Sequence, residues 1–308
     1  MPVTLPLPPA LDRRRQGAPE WIDWLDRLPA LRDQVLAEWQ LGVDGEQIPG
    51  SAALVVPVRD AEGQPAVLKL AFDGAPELEH EALALQHWHG DGTVRLLRAD
   101  PRRRALLLER LGQDDLTDLW DLEACEIVAG FYRRLHRPAM PQLRTLTSFV
   151  DGWLDDLAAL GRELPVPPRL VEQALHLGRA LVGDPASTGV VIHGDLHYAN
   201  VLAAEREPWL VIDPQPMAGD PHWEPAPLLT DRWEEMVGDL RAGIRRRFHT
   251  VVDVAELDEA RARDWTVVRM VVDASWAALD ARRAGRGLNG DERDRITRCV
   301  AVAKAVQD

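Results

Sequence analysis

The chain has 308 residues, of which 46% are hydrophobic and 28% are charged, a composition that supports a sizeable buried core. Its formal net charge of -14 at pH 7 argues against a nucleic-acid partner, because neutralising phosphates needs clustered Lys and Arg. Residues 1–10 lack the basic start and long apolar run of a signal peptide, and no apolar stretch is long enough for a membrane span, so neither export nor a membrane partner is expected.

The first third of the chain predicts helices followed by a small sheet. Residues 21–39 place apolar side chains at helical spacing, and Pro29 is expected to split them into two helices. Two β-rich runs, 53–58 and 64–70, are joined by Asp60-Ala61-Glu62-Gly63 and predict a hairpin. A helix over 76–89 and strands over 94–98 and 105–108 complete a small sheet with one helix against it.

The rest of the chain, from Gly112 onward, has the pattern of long amphipathic helices. These are predicted over 122–136, 148–160, 168–182, 224–247, 257–283 and 291–306. Short apolar runs at 190–192, 200–203 and 209–212 interrupt the helices and predict strands. We therefore predict an N-terminal β-rich domain over residues 1–109 and a mainly helical domain over residues 110–308.

The strongest chemical signal is His193-Gly194-Asp195-Leu196-His197-Tyr198-Ala199-Asn200, followed by Asp213. Asp195 and Asn200 have the D-x-x-x-x-N spacing of a kinase catalytic loop, in which the Asp accepts the proton of the attacking hydroxyl and the Asn holds magnesium. Asp213 ends the next pair of strands and fits the second metal-binding carboxylate. Any one of these residues alone would more simply cap a turn or end a strand, but their order and context favour phosphoryl transfer.

A second, independent element is Lys69 in the apolar run Ala66-Val67-Leu68-Lys69-Leu70. In a kinase, such a Lys binds the nucleotide phosphates and is held by a Glu from the following helix. Glu81 is the predicted partner and Glu79 is its rival. A surface Lys on an edge strand is the alternative reading, which the position of Lys69 before a helix and far upstream of Asp195 disfavours.

With these motifs in place, the sequence resembles the aminoglycoside phosphotransferase family, in particular its streptomycin 6-kinase and hydroxyurea kinase branch. The resemblance covers nearly the whole chain and is closest over 193–220. It implies an α+β, protein-kinase-like two-lobed fold, with a small antiparallel-sheet N-lobe and a larger, mainly helical C-lobe. It also implies ATP- and Mg²⁺-dependent phosphorylation of a hydroxyl on an antibiotic or similar polar metabolite.

The resemblance further implies where the nucleotide binds. Residues 108–111, including Glu109 and Leu111, would form the hinge against which adenine stacks. The sequence has no G-x-G-x-x-G, so the phosphate loop would be Pro49-Gly50-Ser51-Ala52-Ala53, with backbone amides and the Ser51 hydroxyl near the phosphates. The family usually has Asp where Glu224 stands. Gly194 replaces the Arg of protein kinases, so control by a phosphorylated activation loop is not expected.

The acceptor is the part of the function that the sequence defines least. An acidic protein suits a small polar, cationic acceptor, and Asp155, Glu224, Asp231 and Trp223 are the predicted substrate contacts, with Asp156, Glu234 and Glu235 as further candidates. Each could equally lie on a solvated helix face or in the core. Streptomycin or a related aminoglycoside is the first expectation, and hydroxyurea or another small metabolite is the alternative.

Two other classes of function remain open at this point. A metal-dependent hydrolase is suggested by His193-x-Asp195-x-His197, although no second cluster of ligands accompanies it. An inactive kinase-like binding protein is disfavoured because Lys69, Asp195, Asn200 and Asp213 are all present. The two cysteines, Cys125 and Cys299, provide no disulfide framework, so the reducing cytoplasm is the expected location. A monomer is also expected.

Overall fold

The structure is a computed structural model that describes residues 6–16, 19–161, 164–236, 238–283 and 285–307. Its α-helices are α1 (Pro9–Asp12), α2 (Pro19–Glu38), α3 (Glu81–Trp88), α4 (Asp121–Leu135), α5 (Leu146–Leu160), α6 (Pro168–Val182), α7 (Ala226–Thr230), α8 (Leu240–Ala255), α9 (Glu259–Arg283) and α10 (Gly290–Ala305). Its strands are β1 (Gly42–Val43), β2 (Ile48–Pro49), β3 (Ala53–Arg59), β4 (Pro65–Ala71), β5 (Leu96–Asp100), β6 (Ala105–Glu109), β7 (Val190–Ile192), β8 (Val201–Ala203), β9 (Trp209–Val211) and β10 (Met217–Gly219).

The chain forms two compact units, residues 1–113 with 203–215, and residues 114–202 with 216–308. The sequence-based division had placed residues 203–215 with the helical domain. In the structure, β9 is instead bonded to the segment that precedes β5. Val211 N–H donates to Gly92 O at 3.0 Å, and Val94 N–H donates to Val211 O at 2.9 Å. These backbone bonds make the segment ending at Asp213 part of the first unit.

An antiparallel sheet organises the first unit. Among the described residues, six strands pair in the order β1-β3-β4-β6-β5, with β2 also paired to β3. The predicted hairpin is confirmed as β3 and β4. Its turn is closed by Asp60, whose Oδ1 accepts the backbone N–H groups of Glu62 and Gln64, and Gly63 adopts φ +80°. Glycine suits that position because a side chain disfavours positive φ.

Helix α2 covers the sheet of this unit and corrects one expectation. The prediction that Pro29 splits the segment is wrong, because α2 runs through it without interruption. A proline inside a helix costs about 3 kcal/mol, since it removes one backbone hydrogen bond and crowds the preceding turn. Trp24, Leu25 and Leu28 are fully or almost fully buried against the sheet. Burying each such side chain stabilises by about 1.5–3 kcal/mol, so packing outweighs the proline.

Helix α9 is the central element of the second unit. Its residues 265–272 are all buried, as expected for a helix that contacts neighbours on every side. Side chains of α5, α6, α7, α8 and α10 pack with it in one apolar cluster, and β7 and β10 contribute to a second. Strands β7 and β10 pair antiparallel, with Ile192 opposite Met217.

The helix predicted over 224–247 is wrong in its bounds, since the structure has α7 and α8 with a break between them. Arg232 at φ +46° and Gly238 at φ +108° lie in that break. A right-handed helix requires negative φ, so it cannot continue through either residue. The turn signal of Gly238 was available in the sequence, but that of Arg232 was not.

Asp220 ties the turn after β10 to α9, which leads to a stability prediction. Its carboxylate is almost fully buried and accepts bonds from Arg261 Nε at 2.6 Å, Trp265 Nε1 at 2.8 Å and His222 N at 3.0 Å. Burial raises the pKa of Asp220, but the bonds from His222, Arg261 and Trp265 outweigh it and lower the pKa to about 2. Removing one partner of such a buried pair costs about 3–5 kcal/mol, and we expect Asp220→Ala to lose that much unfolding free energy near pH 7.

Urea titrations at several pH values test this prediction. A carboxyl whose pKa is lowered by folding stabilises the folded protein at pH values above its unfolded pKa of about 3.9, and this stabilisation is lost as the pH falls through about 2. The difference in unfolding free energy between wild type and Asp220→Ala should therefore shrink from pH 4 downward. Asp294→Ala, at an exposed position on α10, is the control and should leave the midpoint unchanged. A difference independent of pH would contradict the assignment.

Candidate active site

The first unit joins three of the predicted site residues in one ion pair network. Lys69 lies on the central strand β4, and its Nζ is 2.7 Å from each carboxylate oxygen of Glu81 and 2.5 Å from Asp213 Oδ1. Lys69 is 6% exposed and Glu81, the first residue of α3, is 1% exposed. Glu79, the rival partner, is exposed on the turn before α3. The lysine is therefore a buried cation held by two carboxylates.

The charge state of Lys69 follows from these contacts. Burial lowers the pKa of its ammonium, but the attraction of Glu81 and Asp213 outweighs burial and raises the pKa above its ordinary value. The lysine thus stays protonated at neutral pH. Burial also raises the pKa of Glu81, against the opposing effect of Lys69. Such a fixed, protonated ammonium can bind phosphate oxygens.

Asp213 owes its position to the backbone bonds of β9. It follows that strand by two residues and adopts φ +56°, in the left-handed region that Asp and Asn tolerate better than most residues. This turn directs the chain so that the Asp213 carboxylate reaches Lys69, 144 residues earlier in the sequence.

The remaining residues predicted to bind the nucleotide lie elsewhere in the first unit. Ser51 is exposed in the turn between β2 and β3, which is closed by a 2.8 Å bond from Gly50 N–H to Ala53 O. Leu111 is half-buried just after β6. Glu109, at the end of β6, has its carboxylate bonded to Arg206 Nε at 2.9 and 3.1 Å, and its backbone N–H donates to Arg95 O at 2.9 Å.

Arg206 is a residue that the sequence analysis missed. Besides Glu109, its guanidinium donates to Gly90 O at 2.8 Å and to Thr93 O. It therefore links the β8–β9 connection to the end of β6 and to the segment after α3. Its signal in the sequence is the charged run Glu205-Arg206-Glu207 between two predicted strands.

The predicted catalytic loop lies in the second unit, directly after β7. Gly194 has φ +84°, so the turn needs glycine. The Asp195 backbone N–H donates to His193 Nδ1 at 3.2 Å, and Asn200 Nδ2 donates to Asp195 O at 2.9 Å. The Asp195 side chain is 34% exposed, whereas His193 is fully buried. The loop therefore holds Asp195 by its backbone and keeps its side chain partly exposed.

Glu224 anchors this loop through its carboxylate. It is fully buried, and its carboxylate oxygens accept the backbone N–H groups of His193 at 2.5 Å and Gly194 at 3.1 Å. His136 Nε2 lies 3.6 Å from Glu224 Oε1. Burial raises the pKa of Glu224, but His136 and His193 outweigh it and lower the pKa. This placement does not fit the predicted role of Glu224 as a substrate contact, because both of its carboxylate oxygens already accept hydrogen bonds from the loop backbone.

We expect Glu224→Gln to lower kcat by about 10–100-fold, because its amide group would face one loop N–H and leave that buried donor unpaired, at a cost of about 1–3 kcal/mol. The nucleotide contacts are predicted on the other unit, so the KM for ATP should change little. Steady-state kinetics and thermal melting check both effects, with Glu172→Gln on the exposed face of α6 as the control. Unchanged kcat would show that the loop does not need this anchor.

Arg269 of α9 is a second residue that the sequence analysis missed. Its guanidinium donates to Gly194 O at 2.7 Å and to Trp223 O at 3.1 Å, and its Nη2 lies 4.0 Å from Asp195 Oδ1. The available signal was a single charged residue inside the apolar run 267–272, which is costly to bury unless the charge has partners.

The other predicted substrate contacts are scattered over the second unit. Asp155 is exposed on α5. Trp223 is buried, and the guanidinium carbon of Arg269 lies 4.8 Å from the centre of its ring. Asp231 Oδ2 lies 3.6 Å from His197 Nδ1. Burial raises the pKa of Asp231, but His197 outweighs it and lowers the pKa.

The histidines of the loop do not converge as the hydrolase alternative requires. His193 Nδ1 accepts a backbone bond from Asp195, whereas His197 faces Asp231. Across the described ranges, no three His, Cys, Asp or Glu side chains are grouped to hold a metal ion together. The partners of both histidines instead stabilise the local structure.

Comparisons with known proteins identify the class of protein. The model of the aminoglycoside/hydroxyurea antibiotic resistance kinase family matches residues 38–281. Streptomycin 6-kinase from Streptomyces glaucescens is 39% identical over 92% of this chain and 93% of its own length. Hydroxyurea phosphotransferase from Kitasatospora aureofaciens is 37% identical over 88% of this chain and 79% of its own. The solved structure of spectinomycin phosphotransferase in complex with ADP and spectinomycin has a TM-score of 0.56 and 14% identity, covering 89% of this chain and 95% of that one.

The fold and the catalytic motifs define a small-molecule phosphotransferase with a protein-kinase-like fold, which acts on a hydroxyl group and uses a nucleotide. The chain belongs to the aminoglycoside/hydroxyurea antibiotic resistance kinase family. The predicted fold class, family and reaction class are thereby confirmed. Within the part of the chain that the structure describes, no helix has the length and apolarity needed to cross a bilayer.

Proposed function

We propose that this protein transfers the γ-phosphoryl group of ATP, with Mg²⁺, to a hydroxyl of streptomycin or a closely related aminoglycoside, and so confers antibiotic resistance. The contact of Lys69 Nζ with both Glu81 and Asp213 carries the phosphotransferase part of the proposal. The acceptor is proposed from the similarity to streptomycin 6-kinase over nearly the full chain. Hydroxyurea is the second candidate, because a hydroxyurea phosphotransferase is almost as similar.

Asp195 is the proposed catalytic base. Its carboxylate would accept the proton of the acceptor hydroxyl as that oxygen attacks phosphorus and the bond to ADP breaks. The backbone bonds from Asn200 and to His193 fix the main chain of Asp195, and Glu224 fixes the two residues before it. This preorganisation supports catalysis because little rearrangement is then needed at the moment of reaction.

Asn200 and Asp213 are the proposed ligands of magnesium. Mg²⁺ takes oxygen ligands, commonly one or two carboxylates together with substrate phosphates. Asn200 Nδ2 is used in the bond to Asp195 O, which leaves the side-chain carbonyl oxygen as the ligand atom. The residues therefore fit the ion in donor chemistry. When bound, it would neutralise charge on the phosphoryl oxygens.

Lys69 is the proposed contact of the α- and β-phosphates, with Glu81 holding its ammonium in place. The turn around Ser51 is the proposed contact of the triphosphate, and Glu109 and Leu111 are the proposed contacts of adenine. We further propose that the enzyme works as a monomer in the cytoplasm, a compartment that suits the free, buried thiols of Cys125 and Cys299. Size-exclusion chromatography with light scattering tests the monomer.

The acceptor is tested by incubating purified protein with labelled ATP, Mg²⁺ and a panel of streptomycin, other aminoglycosides and hydroxyurea. Product masses should show one added phosphoryl group on streptomycin, and expression should protect a sensitive bacterium from that drug. Phosphorylation of hydroxyurea alone would favour the second candidate. Turnover of a phosphoester without ATP would contradict the proposal.

A further inference from the structure

One face of α9 carries three side chains, the first of which lies near the proposed catalytic base. Arg269, Asp273 and Trp276 are spaced by four and three residues, so they project from the same side of the helix. Arg269 Nη2 lies 4.0 Å from Asp195 Oδ1, and Arg269 Nε lies 3.9 Å from Asp273 Oδ2. A single guanidinium thus connects the proposed base to a second carboxylate.

Each of these three side chains has a buried polar atom without a hydrogen-bond partner among the described residues. The atoms are Asp273 Oδ1, Arg269 Nε and Trp276 Nε1. Buried polar atoms in folded proteins are nearly always paired, and leaving one unpaired costs about 1–3 kcal/mol. Three such atoms on one helix face need partners that the described residues do not supply, and water or a bound hydroxyl group can serve as one.

The chemistry of the three atoms defines the group that would pair with them. A carboxylate oxygen only accepts hydrogen bonds, whereas the indole and guanidinium N–H groups only donate them. A hydroxyl does both, so adjacent hydroxyls on a ring can pair with this set. Arg269 and the guanidinium of Arg295, 5.6 Å from the Trp276 ring centre, also offset the charge of Asp273, which disfavours a cationic group here.

Aromatic rings around Trp276 provide an apolar surface next to these polar atoms. The Trp276 ring centre lies 5.3 Å from that of Trp153 and 6.2 Å from that of Phe149. Phe149 in turn lies 6.4 Å from Trp223. Ligand sites typically combine such an aromatic wall with a few converging polar groups, and the C–H faces of a saturated ring pack well on it.

We propose that Asp273, Arg269 and Trp276 form a subsite that binds hydroxyl groups of a polyhydroxylated ring, next to the hydroxyl that is phosphorylated. This inference rests on the proposed function. Asp273 and Trp276 select the acceptor, because a site built to bond hydroxyls strongly rejects an analogue that lacks them. They contribute nothing to nucleotide binding.

Two variants test the subsite. Trp276→Phe keeps the ring but removes the N–H, and Asp273→Asn removes the charge at nearly constant volume. We expect each to raise the KM for streptomycin about tenfold, as the loss of one hydrogen bond implies, with ATP affinity unchanged. The matched controls are Trp120→Phe, 73% exposed, and Asp280→Asn, exposed two turns further along α9.

An unchanged streptomycin KM in Trp276→Phe, or equal losses for streptomycin and ATP in both variants, would overturn the subsite. Failure of the wild type to phosphorylate any acceptor would instead overturn the proposed function. In that case, calorimetric titration of streptomycin into wild type and Trp276→Phe still tests the subsite. Tighter binding to the wild type supports it, and equal binding or no binding to both overturns it.

Discussion

Asp195→Ala is expected to lower kcat about a thousandfold while leaving the affinity for ATP nearly unchanged, because general base catalysis contributes about 10²–10⁴-fold and acts mainly in the transition state. The side chain is partly exposed and the loop is held by backbone bonds, so its removal should leave the second unit folded. Acceptor phosphorylation gives kcat, and titration with a fluorescent nucleotide gives the dissociation constant.

The control for this variant is Asp294→Ala, which removes an exposed carboxylate from α10 of the same unit. Its kcat should equal that of the wild type. A variant at Asp195 that retained more than about a tenth of wild-type kcat would exclude a role as general base. Marked weakening of ATP binding would instead assign Asp195 to the nucleotide site.

Asp213→Asn should abolish the dependence of nucleotide binding on Mg²⁺, because the substitution removes the charge proposed to contact the ion. We expect the affinity for ATP with Mg²⁺ to fall at least about a hundredfold, since a charge in direct contact with a metal is worth several kcal/mol. Asparagine is preferred to alanine here because Asn tolerates the left-handed backbone at this position. Isothermal titration of ATP with and without Mg²⁺ measures the effect.

The same titration on Asp23→Asn, an exposed position on α2 of the same unit, should match the wild type. Thermal melting of Asp213→Asn separates loss of the metal from loss of the fold, because Lys69 retains its ion pair with Glu81. If Mg²⁺ still strengthened ATP binding to the variant, the ion would have to be held by other residues.

Much of the first unit could be predicted from short-range patterns. The β3–β4 hairpin followed from two β-rich runs around the turn at residues 60–63, and the predicted strands agree with those of the structure to within one residue. The course of α2 through Pro29 did not follow, because the sequence shows the local cost of a proline but not the burial of Trp24, Leu25 and Leu28 that exceeds it.

The residues around the predicted catalytic loop show the same limit. The motif from His193 to Asn200 was recognisable from spacing alone, and Gly194 has the positive φ that the turn requires. Glu224 was predicted as a substrate contact because a cationic acceptor needs carboxylates, and the sequence does not show where such a side chain points. Only the folded chain brings its oxygens to the two loop amides, 30 and 31 residues earlier.

By itself, the sequence determined the class of fold, the reaction and the residue types available for it, because those depend on local periodicity and on motifs of fixed spacing. The tertiary structure decided which partners those residues have: Glu81 and Asp213 for Lys69, Arg206 for Glu109, and Arg269 for the loop around Asp195. These contacts join segments up to 144 residues apart, and such pairing depends on how the buried faces pack rather than on any neighbouring residue.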